Sequence, residues 1–177
     1  MGEGAWLVLF LVTQRLAELA FATHNTLRLI GRGGAEFGQS HYYLIVALHA
    51  FWLLALWIMG HDRAADPYLL GVFVLLQVAR LWVIASLGAR WTTRVIVVPG
   101  EKPLARGPYR WIRHPNYLIV VVEIAVVPLA LGLWGIAIVF SLANAALLYI
   151  RIRVENEALA WAARQPGPTL ANANPRR

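Results

Sequence analysis

Five apolar runs, each close to the length of a bilayer crossing, constrain this chain more than any other feature. A transmembrane helix needs roughly 20 consecutive apolar residues, and the runs fall at 5–23, 42–60, 68–87, 116–131 and 134–150. Hydrophobic residues make up 59% of the chain and charged residues only 14%, too few to cover a water-facing surface. These features predict an all-α integral membrane protein of about five transmembrane helices. Each run is slightly short, which predicts thin local membrane or helices that end inside protein. The last two meet near Gly132 and should form a tight helical hairpin.

Charge placement predicts the topology. Arg28 and Arg32 lie between runs one and two, and Arg90, Arg94, Lys102, Arg106, Arg110 and Arg113 between three and four. Arg151, Arg153, Arg164, Arg176 and Arg177 follow the fifth, whereas the alternate connections hold only Arg63. Because Lys and Arg collect in cytoplasmic loops, the N-terminus is expected outside and the C-terminus in the cytoplasm. No basic segment precedes the first apolar run, so it reads as a retained span of the cell membrane. The net charge of +7 then belongs to cytoplasmic loops and anionic lipid rather than to nucleic acid.

The long connection after the third run is organised. β-Branched residues flank Pro99-Gly100-Glu101-Lys102, predicting a short β-hairpin at the membrane surface. RGPYRWIRHPNYL then places three arginines, a histidine, two prolines and three aromatics between greasy stretches. Lipid phosphates explain Arg106 and Arg110, but not His114 held between Arg113 and Pro115. Pro115 fits the first turn of a helix, and a helix start offers free N–H groups to a carboxylate or an adenosine hydroxyl. By spacing alone, His114 serves a cap or a ligand equally well.

After the fifth run, RIRVENEALAWAAR continues as a cytoplasmic helix. Glu155, flanked by Arg151 and Arg153, reads first as a solvated ion pair worth little. If that helix packs under the connection, Glu155 faces His114 across a cleft. One domain is expected over 1–163, with a disordered tail from 164 to 177.

Ionisable residues inside the spans form a third group, since burying a charge in hydrocarbon is costly. Arg15 and Glu18, three apart on one helix, are expected to pair with each other, and Arg80 with Glu123. Lining a cavity for a polar-headed substrate is the alternative role for these four, and for His41 near the interface. No Rossmann glycine pattern, phosphate loop or metal-ligand spacing occurs, and there is no cysteine.

At this point the residues resemble a family. GPYRWIRHPNYL, an apolar hairpin and then RIRVENEAL resemble the isoprenylcysteine carboxyl methyltransferase family, closest to its small bacterial branch. Members of that branch are similar to proteins that methylate lipid-like products of type III polyketide synthases, such as alkylpyrones and alkylresorcinols. The resemblance implies an S-adenosylmethionine site on the cytoplasmic side and a lipophilic small-molecule substrate. His114 and Tyr117 match the family's RHPxY motif, with Arg113, Pro115 and Tyr109 beside them. Glu155 matches the first of its paired glutamates, and with His114 is the candidate base. Ile119 stands where the family has glycine and Asn156 where it has the second glutamate. The FGxxY continuation is absent, which points away from a prenylated protein end. Two rivals share this segment: an NADPH-dependent membrane reductase of sterol-like or isoprenoid substrates, and a non-catalytic membrane adaptor.

Overall fold

A computed structural model describes residues 2–101 and 103–165. The chain runs α1 (Glu3–Gly31), β1 (Ala35–Phe37), α2 (Gln39–Gly60), α3 (Pro67–Leu87), β2 (Val95–Val97), α4 (Pro115–Ala130) and α5 (Trp134–Arg164). The helix starts follow from sequence. Asp66 caps α3 by accepting from the Tyr68 and Leu69 amides, and Pro67 and Pro115 occupy first turns, where a missing N–H leaves nothing unpaired. Gly132, at φ +68°, separates α4 from α5 and makes the expected helical hairpin.

α1, α2, α3 and α5 are long and apolar enough to cross a membrane. α4 has 16 residues and is about 24 Å long, shorter than a hydrocarbon core of roughly 30 Å. The other expectation of length is corrected. α1 has 29 residues and α5 has 31, because both continue past their apolar runs into polar turns. The cytoplasmic helix expected after the fifth span is therefore the same rod as that span. Leu75, Leu81, Val139 and Leu142 are each more than 60% exposed on the bundle's outside, as lipid-facing side chains are.

The surface hairpin is also corrected. The Glu101 amide does turn back to the Val98 carbonyl at 3.1 Å. Yet β2 pairs antiparallel with β1, from the connection between α1 and α2, in the register Ala35↔Val97 and Phe37↔Val95. α5 decides this choice: Val95 and Val97 pack on Ala158 and Ala162, and Phe37 meets Trp161 at 5.3 Å. The strand buries its apolar side on that helix, which a free hairpin could not do. Lys102 and residues 166–177, most of the expected tail, lie outside the described residues; Arg164 closes α5.

Hydrogen bonds sort the connections into two ends. The Gly4 amide donates to the Arg63 carbonyl at 3.0 Å and the Asp66 amide to the Ala130 carbonyl at 2.8 Å, gathering one end. A Cβ at Gly4 would stand 1.9 Å from the Gly60 carbonyl oxygen, so glycine is what lets α1 and α2 touch there. The opposite end gathers β1, β2, the Gly107–Arg110 turn and the last turns of α5, where Gly100 donates to Ala162 at 3.2 Å.

Candidate active site at the basic end of the bundle

His114 precedes α4 and Tyr117 sits in its first turn, while Arg151 and Glu155 stand one turn apart on α5. Residues four apart share a helix face, and α5 presents both to α4. The Tyr117 hydroxyl donates to Glu155 Oε2, and Arg151 Nε donates to the Tyr117 oxygen at 2.9 Å. Arg151 Nη2 also donates to the Thr93 carbonyl at 2.8 Å, tying both helices to the long connection. The His114 ring stacks on Tyr117, with centroids 5.2 Å apart and planes 12° apart. Its Nδ1 stands 3.6 Å from Glu155 Oε2, beyond a hydrogen bond but within reach of its charge.

Of the two roles left open for His114, the helix cap is not made. Its side chain caps nothing, whereas its carbonyl accepts from the Tyr117 and Leu118 amides at 3.1 and 3.4 Å. The free N–H groups expected at this helix start are reduced accordingly, since Pro115 has none. Glu155 is likewise no solvated ion pair with its flanking arginines. Its side chain is 28% exposed and its oxygen is held by Tyr117.

These side chains line a cavity of about 390 Å³ together with Trp91, Arg113 and Asn116. That size falls within the roughly 300–1,000 Å³ of small-molecule clefts. Tyr109 lines it too, and burial, then the Glu155 charge, holds its phenol above the usual range. Tyr109 is thus a neutral donor at physiological pH. Pro115, the first residue of α4, is buried and does not line the cavity.

The sequence profile of the isoprenylcysteine carboxyl methyltransferase family matches residues 69–161, more than half of the chain. The chain belongs to the isoprenylcysteine carboxyl methyltransferase family. Its members are membrane methyltransferases, and the matched stretch supplies every lining residue of the cavity except Leu29 and Ala162. The chain is also 38% identical over 160 residues to the uncharacterized Bacillus subtilis (strain 168) protein YpbQ, covering 87% of this chain and 95% of that protein. No solved structure matches it.

Arg15, Glu18, Arg80 and Glu123, within the spans of this methyltransferase-family chain, form one cluster rather than two separate pairs. Arg15 bonds Glu18 at 2.8 Å and also reaches Glu123, while Arg80 bonds Glu123 and lies 3.5 Å from Glu18. Gln77 Nε2 donates to Glu123 Oε1 at 2.9 Å, and Gln14 Nε2 donates to Gln77 Oε1 at 2.6 Å. Two positive and two negative charges are thus mutually compensated between α1, α3 and α4. None of the four lines the cavity; nor does His41, buried under the turn at Gly38.

Sequence reasoning did not place Arg151, Trp91 or Asn116 in the site. For Arg151 the signal was its four-residue spacing from Glu155, which reads equally as a solvated helix face. Asn116 lay inside the quoted motif without a role. For Trp91 no sequence signal separates an interface anchor from a cavity wall, because both are aromatic residues beside a basic loop.

Proposed function

We propose that this chain transfers a methyl group from S-adenosylmethionine to an oxygen of a lipophilic acceptor, a carboxylate, phenol or enol, at the membrane surface. The observation that carries this reading is the joint between α4 and α5, where His114, Tyr117, Arg151 and Glu155 converge on one cavity. The lining chemistry fits the cofactor. Glu155 supplies a carboxylate, partly exposed, for cationic or hydroxyl groups, and Arg113 supplies positive charge for a carboxylate. Tyr109, which lines the same cavity, adds an aromatic ring of the kind that favours cations. When bound, the cofactor contributes a methyl group activated on a sulfonium.

What the protein's own residues contribute is chiefly alignment. Methyl transfer is an in-line displacement, and positioning alone can supply roughly 7–11 kcal/mol at best. Tyr117, pinned between Glu155 and Arg151, fixes the rotamer of each and stacks His114 in place. A phenol or enol acceptor has a proton to lose, and Glu155 or His114 is the base that takes it. A carboxylate acceptor needs no base. The cavity lies at the ends of helices whose outer faces are apolar, so a lipophilic acceptor reaches it from the bilayer. Arginines crowd that same end, which we assign to the cytoplasm, with the N-terminus outside.

Titration of detergent-purified protein with S-adenosylmethionine, S-adenosylhomocysteine and NADPH tests the reading. Binding of the two sulfur ligands, with no response to NADPH, is the expected result. NADPH binding alone would assign the cavity to hydride transfer, and silence from all three would leave a non-catalytic adaptor.

A further inference from the structure

Two polar atoms among the side chains that line the cavity are buried and have no hydrogen-bond partner among the described residues: the Trp91 indole Nε1 and the Asn116 carboxamide Oδ1. Native proteins leave few such groups, because each carries the full desolvation penalty of its polar atom. Trp91 is only 4% exposed. It is also built firmly into place, since Asn25 Nδ2 donates to its carbonyl at 2.9 Å and to that of Gly88 at 3.1 Å. Asn25 is itself buried within α1, so an interior side chain of one span fixes the backbone that carries the indole. Around Trp91 pack Ala22, Val83, Ile119, Leu87 and Tyr109.

The surroundings decide what kind of ligand group would satisfy these atoms. An indole N–H is a donor only, and an amide oxygen accepts, with the adjacent NH₂ able to donate. Neither bears charge, and most charged lining residues are engaged elsewhere: His114, Arg151 and Glu155 with Tyr117 or with one another, Arg90 with Glu101 and Arg94 with Glu36, while Arg113 is left to a ligand carboxylate. A flat, neutral group that offers an acceptor and a donor on its rim meets both needs, and apolar neighbours suit its faces. In a methyl-donor cofactor that group is the purine.

We propose that Trp91 and Asn116 recognise the purine rim of the cofactor and make the site selective for adenine. This rests on the methyltransferase reading. Their partners would be a ring nitrogen, which accepts from the indole, and the exocyclic amine, which donates to the carboxamide. Leu29 and Leu87 line the same cavity and supply apolar surface for the ring.

The test compares S-adenosylhomocysteine with S-inosylhomocysteine, in which the exocyclic amine is replaced by a carbonyl and a ring acceptor becomes a donor. Calorimetry on wild type, Trp91→Phe and Asn116→Leu gives affinities, and melting of each ligand-free protein gives stability. Wild type should prefer the adenine compound by roughly tenfold or more. Each variant should lose roughly three- to tenfold in its affinity, the scale of one hydrogen bond, and should narrow the preference. Melting temperatures without ligand should hold or rise, because an unpaired buried polar atom has been removed. Unchanged affinities, or an affinity loss matched by a lower ligand-free melting temperature, would overturn the assignment and leave the methyltransferase reading intact. Failure of wild type to bind either compound would remove that reading itself, and this pair with it.

Discussion

The Tyr117 hydroxyl donates to the Glu155 carboxylate across 38 positions of sequence, joining the start of α4 to the late turns of α5. That single bond puts the histidine motif and the glutamate segment on one side of the bundle and in one cavity. Arg151 completes the joint by donating to the same tyrosine oxygen. Tyr117 is therefore the residue through which the two halves of the site are registered.

Glu155 and Glu157 should respond very differently to the same substitution. Glu157 is exposed, whereas Glu155 lines the cavity and accepts from Tyr117. Hydrogen bonds to charged groups contribute about 1.5–3 kcal/mol, so Glu155→Gln should weaken S-adenosylhomocysteine binding roughly 10- to 100-fold. Glu157→Gln should stay within about twofold. Equal losses measured by calorimetry would mean that the site is misplaced.

His114→Ala should separate binding from folding. The ring caps no helix end, and its carbonyl, which does accept from the first turn, survives the substitution. Cofactor affinity should fall while the melting temperature in detergent holds within a few degrees. An unaltered dissociation constant would take His114 out of the site.

Glu123 anchors the buried charges, with both Arg15 and Arg80 on its carboxylate and none of its surface exposed. Removing one partner of a buried pair typically destabilises by about 3–5 kcal/mol, because the other charges remain. Glu123→Leu should therefore lower the melting temperature sharply. The double change Arg80→Met with Glu123→Leu leaves Arg15 to Glu18 and should recover part of the loss. A double variant as unstable as the single one would show that charge balance is not what the cluster provides.

Alkaline stability should carry the signature of Tyr109. Burial and then the Glu155 charge raise its phenol in the folded protein above the ordinary value of 10.0. An unfolded chain ionises that phenol first, so stability is intact below pH 10 and falls as pH climbs above it. Tyr109→Phe removes the group, and its melting temperature should decline less between pH 10 and 11 than that of wild type. Identical declines in a circular dichroism pH series would exclude a buried phenol here.

The apolar helices of membrane-crossing length and the uneven spread of arginine were legible in the sequence, because hydrophobicity and charge act locally, residue by residue, against the bilayer. So were the helix start at Pro115 and the break at Gly132, since proline and glycine fix backbone geometry where they stand. The resemblance added which motif to watch. The tertiary structure alone decided the partners. Arg15 meets Glu123 across 108 positions, β2 pairs with β1 instead of folding back, and Trp91 joins the cavity wall. Such contacts depend on which helix faces pack together. With apolar residues on every side of each span, the periodicity of the sequence does not say which face that is.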